Sequence, residues 1–218
     1  MSCRLWFLFG LCASVACWWK PSLLLRALGW RDATPARLAP PWRTLPPKYV
    51  VFGEPHTHMV DIVFMLLFFR AWRVRDVRFP VNRKFFLPVL GALLRAAGAF
   101  PVDTVRSEGV VDQMIERFRT SERFVLHIPP SGTRTRTPYW RSGFYHVALG
   151  AQVPVVPAFL DAATKTYGYG APYTLTGDPS IDMAHFRAFY ADKRGFVPSN
   201  ESVVRLRSED DGVDTAAR

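Results

Sequence analysis

The stretch from Tyr49 to Asp61 constrains the fold of this chain more than any other part of the sequence. Its first half is a short run of β-branched and aromatic residues that Gly53 and Pro55 close. This is the pattern of a buried strand that runs into a loop. The almost wholly apolar residues 62–72 then predict a buried or membrane-facing helix that begins near Asp61.

Three polar residues follow the predicted strand. His56, His58 and Asp61 lie where the strand opens into its loop, and catalytic groups often occupy such places. Asp61 also suits an ordinary cap in the first turn of the next helix. A His-x-His pair can bind a metal ion. The residues alone therefore leave open a catalytic base, a metal site and a cap.

Strand and helix patterns alternate beyond this stretch. Further predicted strands cover residues 76–81, 98–103, 123–128 and 152–159, and predicted helices cover residues 85–97, 107–118 and 180–193. This alternation predicts an α/β domain with a mostly parallel sheet flanked by helices. Pro80 predicts that its own strand lies at an edge of the sheet, because proline cannot donate to the ladder.

The N-terminus carries a separate apolar segment. No charged residue interrupts residues 5–19, a run of about 15 residues that is shorter than the roughly 20 needed to cross a bilayer as a helix. Two tryptophans and Lys20 end it, as in an interfacial anchor. We expect residues 1–30 to form a membrane-docking helical segment, with a cleaved signal peptide as the alternative. Residues 31–47 are a predicted linker, residues 48–200 the main domain and residues 201–218 a polar tail.

The charge of the chain indicates an anionic partner. The net charge is +10 at pH 7, which favours binding to phosphates or to an anionic surface. The basic residues are interleaved with Leu, Phe and Trp and form no clean basic helix or tail of the DNA-binding type. We therefore expect a membrane surface or a phosphorylated small molecule, and no nucleic acid. The three cysteines all lie within the first 17 residues, so they cannot staple the main domain to itself.

A second informative loop, residues 129–138, follows the predicted strand that ends at Ile128. Gly132 lets backbone N–H groups approach an anion, and Arg134 and Arg136 supply donors of the kind that a phosphate needs. A solvated basic loop is the alternative. In a doubly wound sheet the carboxyl ends of neighbouring strands meet in one crevice, so this loop and the His56 loop are expected to face the same ligand.

Residues 56–61 resemble the H-x4-D motif of the glycerolipid acyltransferase family, the lysophosphatidic acid acyltransferase-like enzymes. The closest branch reads P-H-T-S-N-W-D, which Pro55, His56, Thr57 and Asp61 match. Residues 88–91, 98–103, 128–134 and 153–157 resemble the later blocks of the family in the expected order. The resemblance runs from about residue 28 to residue 196 and implies the α/β acyltransferase fold, often with N-terminal membrane-associated helices.

The resemblance implies transfer of a fatty acyl group from acyl-CoA or acyl carrier protein to a hydroxyl of a lysophospholipid or glycerol phosphate, without a cofactor or a metal. An alcohol needs a base to attack a thioester. The family assigns that role to His56, oriented by Asp61. The residues implied for binding the acceptor phosphate are Ser131, Gly132, Thr133 and Arg134. The enzyme would be membrane-associated, with its active site facing the cytoplasm.

Two positions depart from the family pattern. The family loop usually reads E-G-T-R, and Ser131 stands where the glutamate belongs. Thr104 stands where an arginine usually follows the second block. These departures keep open a catalytically impaired, membrane-associated lipid-binding protein on the same scaffold. A metallohydrolase that uses His56 and His58 is a further alternative. The remaining histidines, at positions 127, 146 and 185, are expected to be core or surface residues.

Overall fold

A seven-stranded sheet organises the chain in the computed structural model, which describes residues 20–39, 41–74, 76–102 and 109–210. In chain order the strands are β1 (Arg31–Asp32), β2 (Lys48–Glu54), β3 (Val77–Asn82), β4 (Ala99–Val102), β5 (Phe124–His127), β6 (Val155–Asp161) and β7 (Thr166–Tyr169). The longer strands are rich in β-branched and aromatic residues, which pack well on a pleated surface.

Strand β2 lies at the centre of the sheet, whose order is β1-β7-β6-β2-β5-β3-β4. It pairs in parallel with β5 and with β6, so that Val51 lies in register with His127 on one side and with Val156 on the other. Strand β7 is antiparallel to β6, and the other described pairings are parallel. The loops that follow β2 and β5 therefore start at the same edge of the sheet.

Helices cover both faces of the sheet. They are α1 (Pro21–Ala27), α2 (Pro41–Thr44), α3 (Val60–Ala71), α4 (Pro88–Ala96), α5 (Val110–Thr120), α6 (Gly143–Ala151) and α7 (Pro179–Tyr190). Successive residues of a strand point to opposite faces. Val50 and Phe52 thus enter the core beneath α5, α6 and α7, while Tyr49 and Val51 enter the core beneath α1 and α3. The predicted α/β architecture is confirmed.

Pro80 does not mark an edge strand. Strand β3 lies between β5 and β4, so the edge belongs to β4. Of the residues of β3, Val77 and Arg78 pair with β5, and Pro80 lies beyond the point where that ladder ends. Proline is tolerated there because the missing N–H has no β5 partner to reach. The edge prediction is therefore wrong.

The described part of the predicted membrane-docking segment packs against the domain. Leu25 of α1 is fully buried, and the ring of Trp30 lies 4.7 Å from that of Phe64 in α3. Within the described residues no helix has the length and apolarity to cross a bilayer, and no membrane-docking helix is shown there. Residues 1–19, which carry the longer apolar run, lie outside the described residues.

Parts of the predicted linker and tail also contribute to the domain. Strand β1, at the start of the linker, pairs in parallel with β7. Leu206 is buried and forms a β-bridge with Trp140. Glu209 is buried as well, and its carboxylate lies 2.8 Å from the guanidinium of Arg187. The described residues beyond position 200 therefore close one side of the core.

Candidate active site

The loop between β2 and α3 holds the predicted base and its carboxylate. Asp61 is the second residue of α3, and its side chain turns back over the loop. Its Oδ2 atom accepts hydrogen bonds from the backbone N–H groups of Thr57 at 2.7 Å and of His58 at 2.8 Å. Because a carboxylate that accepts backbone N–H groups is held rigidly, these contacts fix the course of the loop around His56.

His56 and Asp61 lie in contact. The Nδ1 atom of His56 is 3.2 Å from Oδ2 of Asp61, and the side chains are 16% and 7% exposed, respectively. The other carboxylate oxygen of Asp61, Oδ1, is buried and has no hydrogen-bond partner among the described residues. With Nδ1 facing the carboxylate, Nε2 is the ring nitrogen left to take a proton from a substrate. This is the arrangement that a histidine base requires.

Thr57 fixes the other side of the same loop. Its Oγ1 atom accepts a hydrogen bond from the N–H of Val197 at 3.2 Å. A Cβ atom at Gly195 would lie 2.5 Å from Oγ1 of Thr57, so a side chain at position 195 would displace the threonine. The segment that follows α7 therefore packs directly on the loop of His56.

Glu54, the last residue of β2, is a site residue that the sequence patterns do not single out. Its side chain is buried, and both oxygens are used: Oε2 accepts the backbone N–H of His56 at 2.8 Å, and Oε1 accepts that of Ser131 at 3.0 Å. Burial raises the pKa of the Glu54 carboxyl, and the hydrogen bonds from Ser131 and His56 oppose that rise. The signal that could have identified it is an acidic residue at the end of a strand that is apolar from Tyr49 to Gly53.

The predicted acceptor loop begins directly after β5, beside the loop of His56. Ser131 is buried, and its side chain lies close enough to Glu54 to help hold down the pKa of that carboxyl. Thr133 is half-buried and contacts the hydroxyl of Thr135 at 3.1 Å, while Arg134 is exposed. Of the four predicted acceptor residues, the structure ties Ser131 to the His56 loop through Glu54 and leaves Arg134 at the surface of the same loop.

Gly132 makes the turn of this loop possible. Its φ angle is +63°, a conformation that glycine adopts without steric cost. A Cβ atom there would lie 2.6 Å from Nε of Arg141, so the arginine side chain crosses directly over the glycine. The backbone N–H of Arg141 also donates to the carbonyl of Pro130 at 2.7 Å. Arg141 is a further cation beside this loop, in addition to Arg134 and Arg136, and only the fold identifies it, because it lies nine residues from Gly132 in the sequence.

An open pocket of about 270 Å³ adjoins the acceptor loop. Gly132 and Arg141 line part of it, and mostly apolar residues of α5, α6, β3 and β4 line the rest, among them Val111, Met114 and Val147. The pocket therefore combines a cationic part with mostly apolar walls. An amphipathic ligand with an anionic head fits this combination.

The other histidines near the site have different surroundings. His58 is exposed, and its Nδ1 atom accepts the backbone N–H of Val60 at 3.2 Å, so its ring turns to its own helix. His127 at the end of β5 is buried beside the ring of Phe69. Burial, and then the charge of His56, lower the pKa of His127 to about 3, so it is neutral near pH 7. Within the described residues, no group of three or more His, Cys, Asp or Glu side chains is placed to hold a metal ion.

Comparison with known protein families gives a match over the middle of the chain. A family model described as Acyltransferase matches residues 45–161, which is more than half of the chain. The matched region begins just before β2 and ends with β6, so it includes the His56 loop and the acceptor loop. Comparisons with curated proteins and with solved structures found no match.

Proposed function

The chain belongs to the acyltransferase family, and on that premise we propose that it transfers a fatty acyl group from acyl-CoA or acyl carrier protein to a hydroxyl of a lysophospholipid or glycerol phosphate. The observation that carries the proposal is the contact between Nδ1 of His56 and Oδ2 of Asp61. It lies at the carboxyl end of the central strand, where ligands bind in open α/β sheets. The reaction needs no cofactor besides the acyl donor.

In the proposed reaction, His56 acts on the acceptor directly. Its Nε2 atom takes the hydroxyl proton while the oxygen attacks the thioester carbonyl carbon. The new C–O bond forms, the C–S bond breaks, and the departing thiolate recovers the proton from the imidazolium. Asp61 stabilises that imidazolium and fixes the ring, since its Oδ2 atom already faces Nδ1. No covalent acyl-enzyme is required.

The second loop is proposed to bind the acceptor phosphate. The exposed guanidinium of Arg134 supports this assignment, because it presents N–H donors at a turn that the positive φ of Gly132 forms. Ser131 and Thr133 complete the predicted set of binding residues. The pocket beside Gly132 supports the same view, since its apolar walls suit the fatty part of a substrate.

Activity with a panel of acceptors is the direct test. Purified chain in mixed micelles would be given labelled acyl-CoA or acyl carrier protein with lysophospholipids, glycerol phosphate and lipid amines. We expect label to move to a hydroxyl acceptor that carries a phosphate. The serine at position 131 favours one other function, a lipid-binding protein that has lost catalysis. Saturable lysophospholipid binding without any transfer would establish that function and contradict ours.

An exposed apolar surface supports the further proposal that the enzyme is membrane-associated; that its active site faces the cytoplasm is also part of the proposal. We define the α4 apolar surface as Phe85, Leu87, Val89, Leu90 and Leu93, all of them exposed. Leu93 lines one side of an open groove of about 550 Å³, and Val63 of α3 lines the other. Arg83, Lys84 and Arg95 flank this surface. Apolar side chains with a basic rim match the interface of an anionic bilayer.

Charge placed on the α4 apolar surface is expected to weaken membrane binding. Val89 and Leu93 are 76% and 64% exposed, so glutamate at both positions leaves the fold intact but cannot enter the apolar interface. We expect the fraction of protein that floats with vesicles of phosphatidylcholine and phosphatidylglycerol to fall about tenfold. The control carries glutamate at Ile181 and Val203, which are exposed elsewhere. Equal flotation of the two double variants would show that this surface does not touch the bilayer.

A further inference from the structure

Glu54 joins the two loops of the candidate site through one buried carboxylate. Its Oε2 atom accepts the N–H of His56, and its Oε1 atom accepts the N–H of Ser131, which lies 77 residues further along the chain. Glutamate is almost never this buried unless its charge is satisfied. A buried hydrogen bond that stays satisfied rigidifies its surroundings, and losing one partner is costly.

The surroundings of Glu54 are apolar on the side of the core. Glu54 follows Val50 and Phe52 at the two-residue period of a strand, and both lie in the core beneath α6 and α7. The hydroxyl of Tyr190 donates to the carbonyl of Ala158 at 2.8 Å, and both burial and the neighbouring Glu54 raise the pKa of that tyrosine. The carboxylate is therefore enclosed on the inner side and directed at the two loops on the outer side.

Ser131 takes the place of the glutamate in the E-G-T-R pattern, and the structure gives this exchange a physical reason. Ser131 is buried, and its backbone N–H already binds Glu54. A second carboxylate at position 131 would share that enclosed space with Glu54, and two like charges in one buried site oppose each other. With Glu54 buried beside it, position 131 accommodates a small neutral side chain better than a second carboxylate.

We propose that Glu54 is a positioning residue, which fixes the His56 loop and the Ser131 loop relative to each other and supplies from β2 the buried carboxylate that the second loop lacks. It does not touch the reacting atoms. It holds the backbone of His56 and the backbone of the acceptor loop at a fixed distance from each other. The inference rests on the proposed acyl transfer, and it assigns to that site a specific residue that the motif does not contain.

A swap of the two side chains tests the proposal. Glu54→Ser is expected to lower kcat/KM for the acceptor about 100-fold, because displacing a positioned group by about 1 Å has effects of that size. Ser131→Glu alone is expected to lower both turnover and the urea midpoint of unfolding, because two carboxylates then compete for the enclosed space. The double variant, with serine at 54 and glutamate at 131, is expected to return to within about tenfold of wild-type kcat/KM.

Two outcomes would overturn the proposal. One is a double variant whose loss equals the product of the two single losses, since that would mean the side chains do not share a space. The other is a folded Glu54→Gln protein with wild-type kcat and acceptor KM. The glutamine NH2 group would face a backbone N–H donor at one of the two contacts, so a positioning role predicts that this variant loses activity. Either result leaves acyl transfer by the wild-type protein in place. A wild-type protein inactive toward every acceptor would instead refute the proposed function, and the urea midpoints would still report the coupling of residues 54 and 131.

Discussion

His56→Ala is expected to lower kcat for acyl transfer about 1,000-fold, which is the middle of the range for removal of a general base. The ring is the partly exposed member of the pair with Asp61, and its Nδ1 atom faces the carboxylate at 3.2 Å. No other described histidine is placed to replace it. His127 at the end of β5 is buried, and burial lowers its pKa to about 3, so its charged form is unfavourable there.

Asp61→Asn tests the orienting role separately from the base. The amide keeps the size of the side chain, but it no longer stabilises the imidazolium and can turn an NH2 group toward Nδ1. We expect kcat to fall by about 100-fold or more, as when a histidine base loses its carboxylate. Initial rates at saturating acyl donor and acceptor would measure both variants, with circular dichroism to confirm that they fold.

His58→Ala is the matched control, because it removes a histidine from the same turn of the same loop. His58 is exposed, and its ring accepts the N–H of Val60 at the start of α3 and lies 6.3 Å from the ring of Phe196. We expect kcat within about threefold of wild type, since an exposed side chain away from the reaction adds little. A His58→Ala loss as large as that of His56→Ala would contradict our assignment of the base and favour a site that uses both rings.

The sequence predicts the parts of this site that are local in the chain. An apolar run closed by Gly53 predicts β2, and the strand observed is Lys48–Glu54. The apolar residues after Asp61 predict α3, which begins one residue before it. Short apolar runs with their flanking residues suffice for such elements, because each element depends on residues close in the chain. The position of His56 at the carboxyl end of β2 follows from these two elements.

Contacts between distant residues are what the sequence does not predict. The hydrogen bond from Ser131 to Glu54 depends on β2 and β5 being neighbours, and no periodicity states which strands pair. Arg141 reaches Gly132 only because the loop folds back before α6. Pro80 led to a wrong edge prediction for the same reason. The point at which the pairing of β3 with β5 ends depends on the assembled sheet. Thr104, the second departure from the family pattern, lies outside the described residues.

A buried aspartate away from the site is expected to matter most for stability. Asp182 of α7 is fully buried and accepts hydrogen bonds from the hydroxyl groups of Tyr145 at 2.7 Å and Tyr173 at 2.9 Å. It also accepts the backbone N–H and the hydroxyl of Thr176, both at 2.9 Å. One carboxylate thus joins α6, α7 and the segment between β7 and α7.

Asp182→Ala is expected to lower the free energy of unfolding by about 3 kcal/mol or more, because it leaves buried donors without an acceptor at about 1 to 3 kcal/mol each. Burial alone would raise the pKa of Asp182, but the hydrogen bonds from Thr176, Tyr145 and Tyr173 outweigh it and lower the pKa below its ordinary value. A lowered pKa in the folded state contributes stability that is fully present above the unfolded value, about 4, and is lost as the pH falls through the folded value.

The difference between wild type and Asp182→Ala should therefore be largest near pH 7 and shrink below about pH 4. Urea unfolding followed by tryptophan fluorescence at pH 7, 5 and 3.5 would measure it. Asp192→Ala is the control, because its carboxylate is 76% exposed and its ion pair is with neighbouring Lys193, and surface changes of this kind stay within about 0.5 kcal/mol. If the two variants lost equal stability, or if the Asp182→Ala difference did not change with pH, the buried carboxylate would not be what joins these helices.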